Sequence, residues 1–249
     1  MAGSIPGVFR LLFCRKRPRY RLHGWYSFVI NLLIMRKLIM KMSISVDGFV
    51  GGPNGETDWI FKSTDEAARD WIIDLIQTAG IHIMGRKTFH DMAAYWPVST
   101  QPFAPAMNEI PKGVFTKKGF SGVADPAQTT MALENAKRFM AERGLEAADT
   151  LSPAAATWKE ARVFSGDLAT EIRQLKQEDG KPVFAHGGAG FMQSLAATGL
   201  IDEYYLLTHP VALGRGLPLF SALTAPLDLK LVAVKPFPGG AIAHVYQPR

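Results

Sequence analysis

Residues 182–219 constrain the fold more strongly than any other part of this chain. They begin with a short apolar run at 183–186 and a glycine turn at 187–190. A segment with helical spacing follows at 191–197, and a run of β-type composition at 201–208. The apolar runs predict strands and the segment between them predicts a helix. Strands that alternate with helices in this way indicate a mostly parallel sheet covered on both faces.

The glycine turn within this stretch suggests a first function. Gly187, Gly188 and Gly190 let the backbone turn tightly and approach a ligand without Cβ atoms in the way. The N-terminus of the following helix presents free N–H groups and the positive end of a dipole, which suit a phosphate. A nucleotide site is therefore one hypothesis. A plain connection is the other, because the turn lacks the G-x-G-x-x-G spacing of dinucleotide-binding loops.

The excess of basic residues is confined to the start of the chain. Of the 28 basic residues, six lie in residues 1–34, where there is no acidic residue, which leaves 22 basic against 22 acidic residues elsewhere. A folded body without basic excess does not indicate nucleic-acid binding. The only cysteine, Cys14, also lies in residues 1–34, which excludes an intrachain disulfide and a multi-cysteine metal site. We expect a cytoplasmic enzyme with no metal.

Residues 1–34, here called the basic leader, allow three interpretations. An Arg-rich, acid-free start resembles an organelle transit peptide, and basic residues before the apolar run 25–34 resemble a signal sequence, although no typical cleavage site follows. That run is shorter than the roughly 20 residues needed to span a bilayer. We favour the third interpretation, in which translation begins at Met35 and the leader is disordered or not translated. A membrane- or RNA-associated protein driven by the leader is the alternative.

Strand and helix patterns alternate through residues 35–249 and predict one α/β domain. Strands are predicted at 38–46, 81–84, 113–116, 161–164, 183–186 and 201–208, and helices at 63–80, 85–94, 127–143, 167–177 and 191–197. The tail, residues 229–247, predicts two strands around a Pro-Gly-Gly turn, which would close the sheet as an antiparallel hairpin. Residues 121–157 differ in composition and are interpreted as a surface insertion.

The first predicted strand and the first predicted helix each carry a polar pattern. In the strand, Lys41, Ser43 and Ser45 alternate with apolar residues and are therefore predicted to share one face. The segment Ser63-Thr64-Asp65-Glu66 fits a capping box, with Ser63 as the N-cap of the first helix.

Polar turns follow three further predicted strands at the edge where open α/β sheets bind ligands. Gly85-Arg86-Lys87-Thr88 places backbone donors, a hydroxyl and two cations at a helix start, which suits an anion; a solvated helix start is the alternative. Thr116 and Lys117 could receive a 2′-phosphate or be solvated surface residues. Asp47 is either a polar substrate contact or the turn residue that Asp-Gly usually provides.

The histidines and serines do not indicate metal or acyl-transfer chemistry. His82 lies in an apolar strand and is predicted to be a core residue, while His186 and His209 end strands near the glycine turn. None of them pairs with a second ligand at metal-site spacing. The chain also lacks the G-x-S-x-G nucleophile elbow.

Several motifs in one order resemble a known family. They are MSISVDGFV, GETDWI with DEAARDWI, IMGRKTF, VFAHGGAGFMQSL and GLIDEYYLLTHPVALGRGLPLF. Together they resemble the dihydrofolate-reductase-like superfamily, and within it the reductase domain of riboflavin biosynthesis and its stand-alone relatives. The likeness covers about residues 35–247, interrupted by the insertion. It implies a three-layer α/β fold with a mostly parallel sheet, helices on both faces and a C-terminal antiparallel hairpin.

The resemblance also implies NADPH as cofactor and assigns roles to the polar turns. The adenosine and phosphate end of the cofactor is assigned to Gly85, Arg86, Lys87 and Thr88, and its 2′-phosphate to Thr116 and Lys117. Its pyrophosphate is assigned to Gly187, Gly188, Ala189 and Gly190. Asp47 would lie beside nicotinamide and substrate, where it would orient substrate or assist proton transfer. The implied partner is a small heterocyclic substrate, with neither nucleic acid nor membrane, and a homodimer is one option for assembly.

The implied reaction is hydride transfer to a 5-amino-6-(5-phosphoribosylamino)uracil. The bifunctional enzymes also deaminate, but that half needs a zinc site that a chain with one cysteine cannot supply. Dihydrofolate reductases carry a substrate-binding carboxylate on the first helix, where an ungapped count places Arg69, next to Asp70. No clear match to residues that would hold a ribosyl phosphate is found. Two alternatives stay open: a dihydrofolate reductase-type or other small-heterocycle reductase, and a nucleotide-binding protein without turnover.

Overall fold

An eight-stranded mixed sheet forms the middle layer of the fold. The computed structural model describes residues 35–117 and 156–249, together with residues 134, 137, 138, 140–142, 144–146, 152 and 154. The basic leader and most of the 121–157 insertion, including most of the helix predicted at 127–143, lie outside the described residues.

The described strands and helices follow the predicted alternation. The strands are β1 Leu38–Ser45, β2 Ile81–Gly85, β3 Lys112–Phe115, β4 Arg162–Phe164, β5 Val183–Ala185, β6 Glu203–His209, β7 Leu229–Pro236 and β8 Ile242–Pro248. The helices are α1 Glu66–Gln77, α2 Arg86–Tyr95, α3 Ala104–Glu109, α4 Ala156–Lys159, α5 Leu168–Gln177 and α6 Ala189–Ala197, with short 3₁₀ turns at Asp58–Lys62 and Trp96–Val98.

The strand order across the sheet is β4-β3-β2-β5-β1-β6-β8-β7. The strands from β4 to β6 are parallel, β8 is antiparallel to β6, and β7 is antiparallel to β8. The predicted mostly parallel sheet with a C-terminal antiparallel hairpin is therefore confirmed. Because β1 lies between β5 and β6, both of its edges are hydrogen bonded to neighbouring strands.

The two faces of the sheet pack against different helices. On one, here called the α5/α6 face, Leu38 and Met40 of β1 belong to a core with Ile172 of α5 and Leu195 of α6. On the other, here called the α1/α2 face, Ile39 belongs to a core with residues of α1, α2 and α3. Burial of these apolar side chains from both sides fixes the register of β1.

Two predicted helix starts differ from the structure. The N-cap of α1 is Asp65, whose Oδ1 accepts from the amide of Ala68 at 2.8 Å, and the predicted cap Ser63 is instead hydrogen bonded to the Nδ1 of His209 at 2.8 Å. An aspartate in the same four-residue segment competes with the serine for the first-turn amides. Helix α6 begins at Ala189, earlier than predicted, with Gly188 as its N-cap.

Candidate active site

The predicted polar turns lie at one edge of the sheet. Strands β1, β2, β3 and β5 are mutually parallel neighbours, so the residues that follow them emerge at the same carboxyl edge. In open α/β sheets this edge is where ligands bind. The order across the edge is Thr116 after β3, the Gly85 turn after β2, the Gly187 turn after β5 and Asp47 after β1.

The two glycine turns are in direct contact. The amide of Gly85 donates to the carbonyl oxygen of Gly187 at 3.2 Å, and the amide of Gly188 donates to the Oγ1 of Thr88 at 2.8 Å. Gly187 has a φ of 119°, which favours glycine, and the Gly187–Gly188 peptide bond is cis. The structure therefore joins two segments that are about 100 residues apart in sequence into one polar surface.

Two helix N-termini open onto this surface. Helices α2 and α6 have Gly85 and Gly188 as N-caps, and neither has a side-chain cap hydrogen bond. Their first-turn amides and dipoles are thus directed toward the same edge, an arrangement that attracts anions. Arg86 and Lys87 are exposed in the first turn of α2.

The glycines of the second turn differ in what surrounds them. A Cβ atom at Gly188 would lie 2.6 Å from the Oγ1 of Thr88, so packing against Thr88 requires glycine there. A Cβ atom at Gly190 would meet nothing within 4 Å. Gly190 is also exposed, so its backbone is open to a ligand.

Thr116 and Lys117 lie one strand away from the Gly85 turn. Thr116 is buried, and its amide donates to the carbonyl oxygen of Phe164 at 3.0 Å, whereas Lys117 is exposed. Phe115 stacks on Phe164 with ring centroids 4.6 Å apart and packs 5.2 Å from Phe191 of α6. These aromatic contacts connect the end of β3 to the helix that follows the glycine turn.

Asp47 connects the end of β1 to a neighbouring loop. Its carboxylate accepts from the Oγ of Ser45 at 2.6 Å and from the amides of Leu213 at 3.1 Å and Gly214 at 2.7 Å. These hydrogen bonds, chiefly the one from Ser45, lower the pKa of Asp47. The group is therefore an ionised acceptor at neutral pH, suited to positioning the loop.

A cluster that the sequence reasoning did not assign to the site lies beside these turns on the α1/α2 face. It consists of Lys41 on β1, His186 directly after β5 and His209 at the end of β6, here called the Lys-His cluster. The Nζ of Lys41 is 3.3 Å from the Oγ of Ser43, and burial lowers the pKa of Lys41 to about 8.

Both histidines of the Lys-His cluster are neutral. Burial, followed by the charges of Lys41 and Lys112, lowers the pKa of His186 to about 3. Burial, followed by the charge of Lys41, lowers the pKa of His209 to about 4. The Nε2 atoms of both rings are buried without a hydrogen-bond partner among the described residues. His82, with 0% exposure, packs behind the cluster with its ring centroid 4.3 Å from that of His186, which confirms it as a core residue.

The first helix offers no carboxylate to the sheet. The residues of α1 that are buried against it are Ala68, Ile72, Leu75 and Ile76. Arg69 pairs with the side chain of Asp70 at 2.9 Å, and the Asp70 side chain is 58% exposed. The position where dihydrofolate reductases carry a substrate-binding carboxylate thus faces solvent in this chain.

Neither a metal site nor a membrane span is found in the parts of the chain that the structure covers. Among those residues, no three His, Cys, Asp or Glu side chains form a group that could hold a metal ion. None of the described helices is both long and apolar enough to cross a bilayer.

Comparisons with known proteins concern the family and the fold of the chain. Residues 36–243 match the family described as RibD C-terminal domain. The uncharacterized protein YyaP of Bacillus subtilis is 29% identical over 218 residues, which are 87% of this chain and 97% of that protein.

Two solved structures show the same fold. One is a diaminohydroxyphosphoribosylaminopyrimidine deaminase/5-amino-6-(5-phosphoribosylamino)uracil reductase from Thermotoga maritima, with a TM-score of 0.55, 15% identity, and coverage of 90% of this chain and 60% of that one. The other is dihydrofolate reductase from Enterococcus faecalis in complex with NADP(H), with a TM-score of 0.50, 13% identity, and coverage of 86% and 96%. The fold predicted from the motifs is therefore confirmed as dihydrofolate-reductase-like.

Proposed function

The chain belongs to the RibD C-terminal domain family, and from that premise we propose that it is an NADPH-dependent reductase of a small heterocycle. The proposed reaction resembles that of 5-amino-6-(5-phosphoribosylamino)uracil reductase. The observation that carries the proposal is the hydrogen-bonded pair of glycine turns, which directs two uncapped helix N-termini to one edge of the sheet.

The paired turns suit a dinucleotide with several phosphates. The open backbone at Gly190 and the start of α6 would receive the pyrophosphate, with Gly187, Gly188 and Ala189 shaping the turn. Arg86 and Lys87 would add charge beside the phosphates. Gly85 and Thr88 contribute by holding the two turns together.

The end of β3 suits the 2′-phosphate of NADPH. Thr116 and Lys117 follow the strand next to β2, and the Lys117 side chain is exposed and charged. A cation there would favour NADPH over NADH, because only NADPH carries that phosphate. Both assignments are proposals that mutation can test.

In the proposed reaction the cofactor supplies the hydride and the protein positions the reactants. Asp47, as an ionised acceptor for two loop amides, would fix the 211–217 loop beside the substrate rather than donate a proton. The substrate would be a small heterocycle, and the cytoplasmic location and a homodimeric state remain predictions.

An amino-uracil substrate is favoured over a folate by the first helix. A pteridine bound as in dihydrofolate reductases needs a carboxylate partner, but the acidic side chains of α1 are directed away from the sheet. The same position therefore disfavours the dihydrofolate reductase-type alternative.

Titration of the full chain with NADPH and NADH, followed by cofactor fluorescence, tests the proposal. We expect saturable binding of NADPH, and oxidation of NADPH when a 5-amino-6-ribosylaminouracil phosphate is added. Binding without oxidation of NADPH by pyrimidine or pteridine compounds would support a non-catalytic nucleotide-binding protein instead. Complementation of a strain deficient in the riboflavin reductase would test the substrate directly.

A substitution of Lys117 tests the assignment of the 2′-phosphate site. Lys117→Ala should weaken NADPH about fivefold, because one charge contact to a phosphate contributes about 1 kcal/mol, and should leave NADH unchanged. Lys230→Ala, at an exposed lysine of β7, is the matched control. Equal losses for the two cofactors would contradict the 2′-phosphate assignment.

A further inference from the structure

The turn that follows β4 lies next to the residues proposed for the 2′-phosphate. Strands β3 and β4 are parallel neighbours, with Phe115 paired to Phe164. Their hydrogen bonding continues past the end of β3, because the amide of Thr116 donates to the carbonyl oxygen of Phe164 at 3.0 Å. Residues 165–167 therefore run beside Thr116 and Lys117, and charges in that turn are neighbours of a phosphate bound there.

Glu171, in the first turn of α5, directs its carboxylate back onto this turn. Its Oε1 accepts from the amide of Gly166 at 3.1 Å, and a Cβ atom at Gly166 would lie 2.7 Å from the same oxygen. Arg162 senses the charge of Glu171, but its Nη1 and Nη2 donate to the carboxylate of Glu178 at 2.8 and 2.7 Å. No salt bridge to Glu171 is found among the described residues. Glu171 thus brings a carboxylate to the turn without an ion-pair partner.

Asp167 adds a second carboxylate at the same turn. It is the N-cap of α5, and its Oδ1 accepts from the amide and the hydroxyl of Thr170 at 2.9 and 2.8 Å. These hydrogen bonds, chiefly the one from the amide, lower the pKa of Asp167, so the group is ionised at neutral pH. The start of α5 therefore carries acidic side chains, whereas the starts of α2 and α6 have no side-chain cap and attract anions.

The two nicotinamide cofactors would meet these charges differently. The 2′-phosphate of NADPH carries up to two negative charges at neutral pH, so carboxylates repel it and a lysine attracts it. The 2′-hydroxyl of NADH is a hydrogen-bond donor, which a carboxylate accepts. An acidic residue near the adenosine ribose therefore favours NADH, and a cation there favours NADPH. The adjacent ends of β3 and β4 in this chain offer both kinds of charge.

We propose that the carboxylates of Asp167 and Glu171 oppose Lys117 and reduce the preference for NADPH, so that the protein also binds NADH. The proposal rests on the proposed function, since it describes the adenosine end of the same cofactor site. The two acidic residues act on the choice between the cofactors through their charge. The pyrophosphate, which both cofactors carry, is left to the glycine turns.

Fluorescence titrations of the full chain with NADPH and NADH test this inference through the ratio of the two affinities. Glu171→Gln removes the charge and keeps an oxygen that can accept from the amide of Gly166. The variant should raise the preference for NADPH about threefold in dilute buffer and by less at about 0.5 M salt, which screens charges at this range. Asp167→Asn, which keeps an N-cap residue, should act in the same direction. Asp74→Asn, at an exposed aspartate of α1 on the opposite face, is the matched control and should leave the ratio unchanged.

The outcomes separate failure of this inference from failure of the proposed function. If the wild-type protein binds neither cofactor, the reductase proposal fails. If it binds NADPH but the ratio is unchanged in Glu171→Gln and Asp167→Asn, the carboxylates only shape the turn and the inference alone fails. If one variant does not fold, the other decides. If neither folds, the wild-type ratio decides: we expect NADPH to be preferred by less than about tenfold, since the opposing charges offset one another, and a larger preference would overturn the inference.

Discussion

The two faces of β1 differ in the side chains that they carry, apolar residues on one face and polar residues on the other. On the α5/α6 face, Leu38 and Met40 have 0% exposure and pack among apolar side chains. On the α1/α2 face, the alternate positions are Lys41 and Ser43, and the neutral histidines His186 and His209 lie at the ends of the two neighbouring strands. Both faces are covered by helices, so the difference lies in the chemistry of the side chains.

The polar face of β1 departs from the usual composition of a central strand. A central strand of a mostly parallel sheet is usually apolar on both faces, because helices cover both. Polar residues on a covered face reduce stability unless they are paired, and proteins retain such residues at functional sites. Mutation of the apolar face should therefore lower stability, whereas removal of the Lys41 ammonium should raise it.

The largest effect is expected on the apolar face. Ile172→Ala in α5 removes a side chain with 0% exposure from the core beneath β1. The free energy of unfolding should fall by about 2–5 kcal/mol, as lost transfer energy and a cavity act together. Urea unfolding measures this loss. NADPH affinity, measured well below the unfolding transition, should be unchanged, and a parallel loss of affinity would break the separation of the two faces.

Substitution of Lys41 on the α1/α2 face should raise the free energy of unfolding instead of lowering it. Lys41→Met keeps about the length of the side chain and removes a half-buried ammonium whose pKa burial lowers to about 8 and which pairs with no carboxylate among the described residues. The variant should be more stable than the wild type by about 1–3 kcal/mol at neutral pH, since one pKa unit corresponds to about 1.4 kcal/mol. The same urea experiment applies. A destabilised Lys41→Met protein would mean that the ammonium has a partner that offsets its burial.

The histidines of the cluster should make stability depend on pH. Unfolded histidines take up protons below about pH 6.5, whereas the folded pKa of His209 is about 4 and that of His186 about 3. The folded state is favoured fully above about pH 6.5, and this contribution is lost as the pH falls toward the folded pKa values. Each histidine should lower the unfolding free energy by about 1.4 kcal/mol per pH unit in that window.

Substitution of His209 isolates its contribution to the pH dependence of the unfolding free energy. His209→Gln should reduce the slope of unfolding free energy between pH 6 and pH 5 by about 1.4 kcal/mol per pH unit. His244→Gln, at a half-buried histidine of β8, serves as the control. An unchanged slope in the His209 variant would contradict the burial of a neutral imidazole there.

The fold could be predicted from the sequence largely because its local signals agree. The apolar runs, the helix at 167–177 and the Pro-Gly-Gly hairpin turn all appear as predicted. The sequence predicts Ser63 as the cap of α1, although Asp65 also suits that role. The hydrogen bond of Ser63 to His209, which is distant in sequence, shows that Ser63 has a different partner.

The sequence indicates part of the candidate site, and the part that it leaves out depends on contacts between residues far apart in the chain. Glycine turns and charged helix starts are local patterns, so residues 85–88 and 187–190 could be identified, although their mutual hydrogen bonds could not. The alternation of Lys41 and Ser43 with apolar residues was visible, but it also fits a solvated face. Only the strand order, which places β5 and β6 beside β1, brings His186 and His209 to the same side of the sheet as this polar face.

Gly190→Ala should cause the smallest change in stability and a clear change in NADPH binding. A Cβ atom there meets nothing within 4 Å, and alanine favours the first turn of α6, so Gly190→Ala should alter the unfolding free energy by less than about 1 kcal/mol, toward higher stability. NADPH affinity should nevertheless fall by about tenfold, because a methyl group would hold a phosphate away from the helix amides. Ser194→Ala, one turn further along α6, is the matched control and should bind NADPH normally. Unchanged affinity in Gly190→Ala would place the pyrophosphate elsewhere on this edge and leave the second glycine turn with a structural role alone.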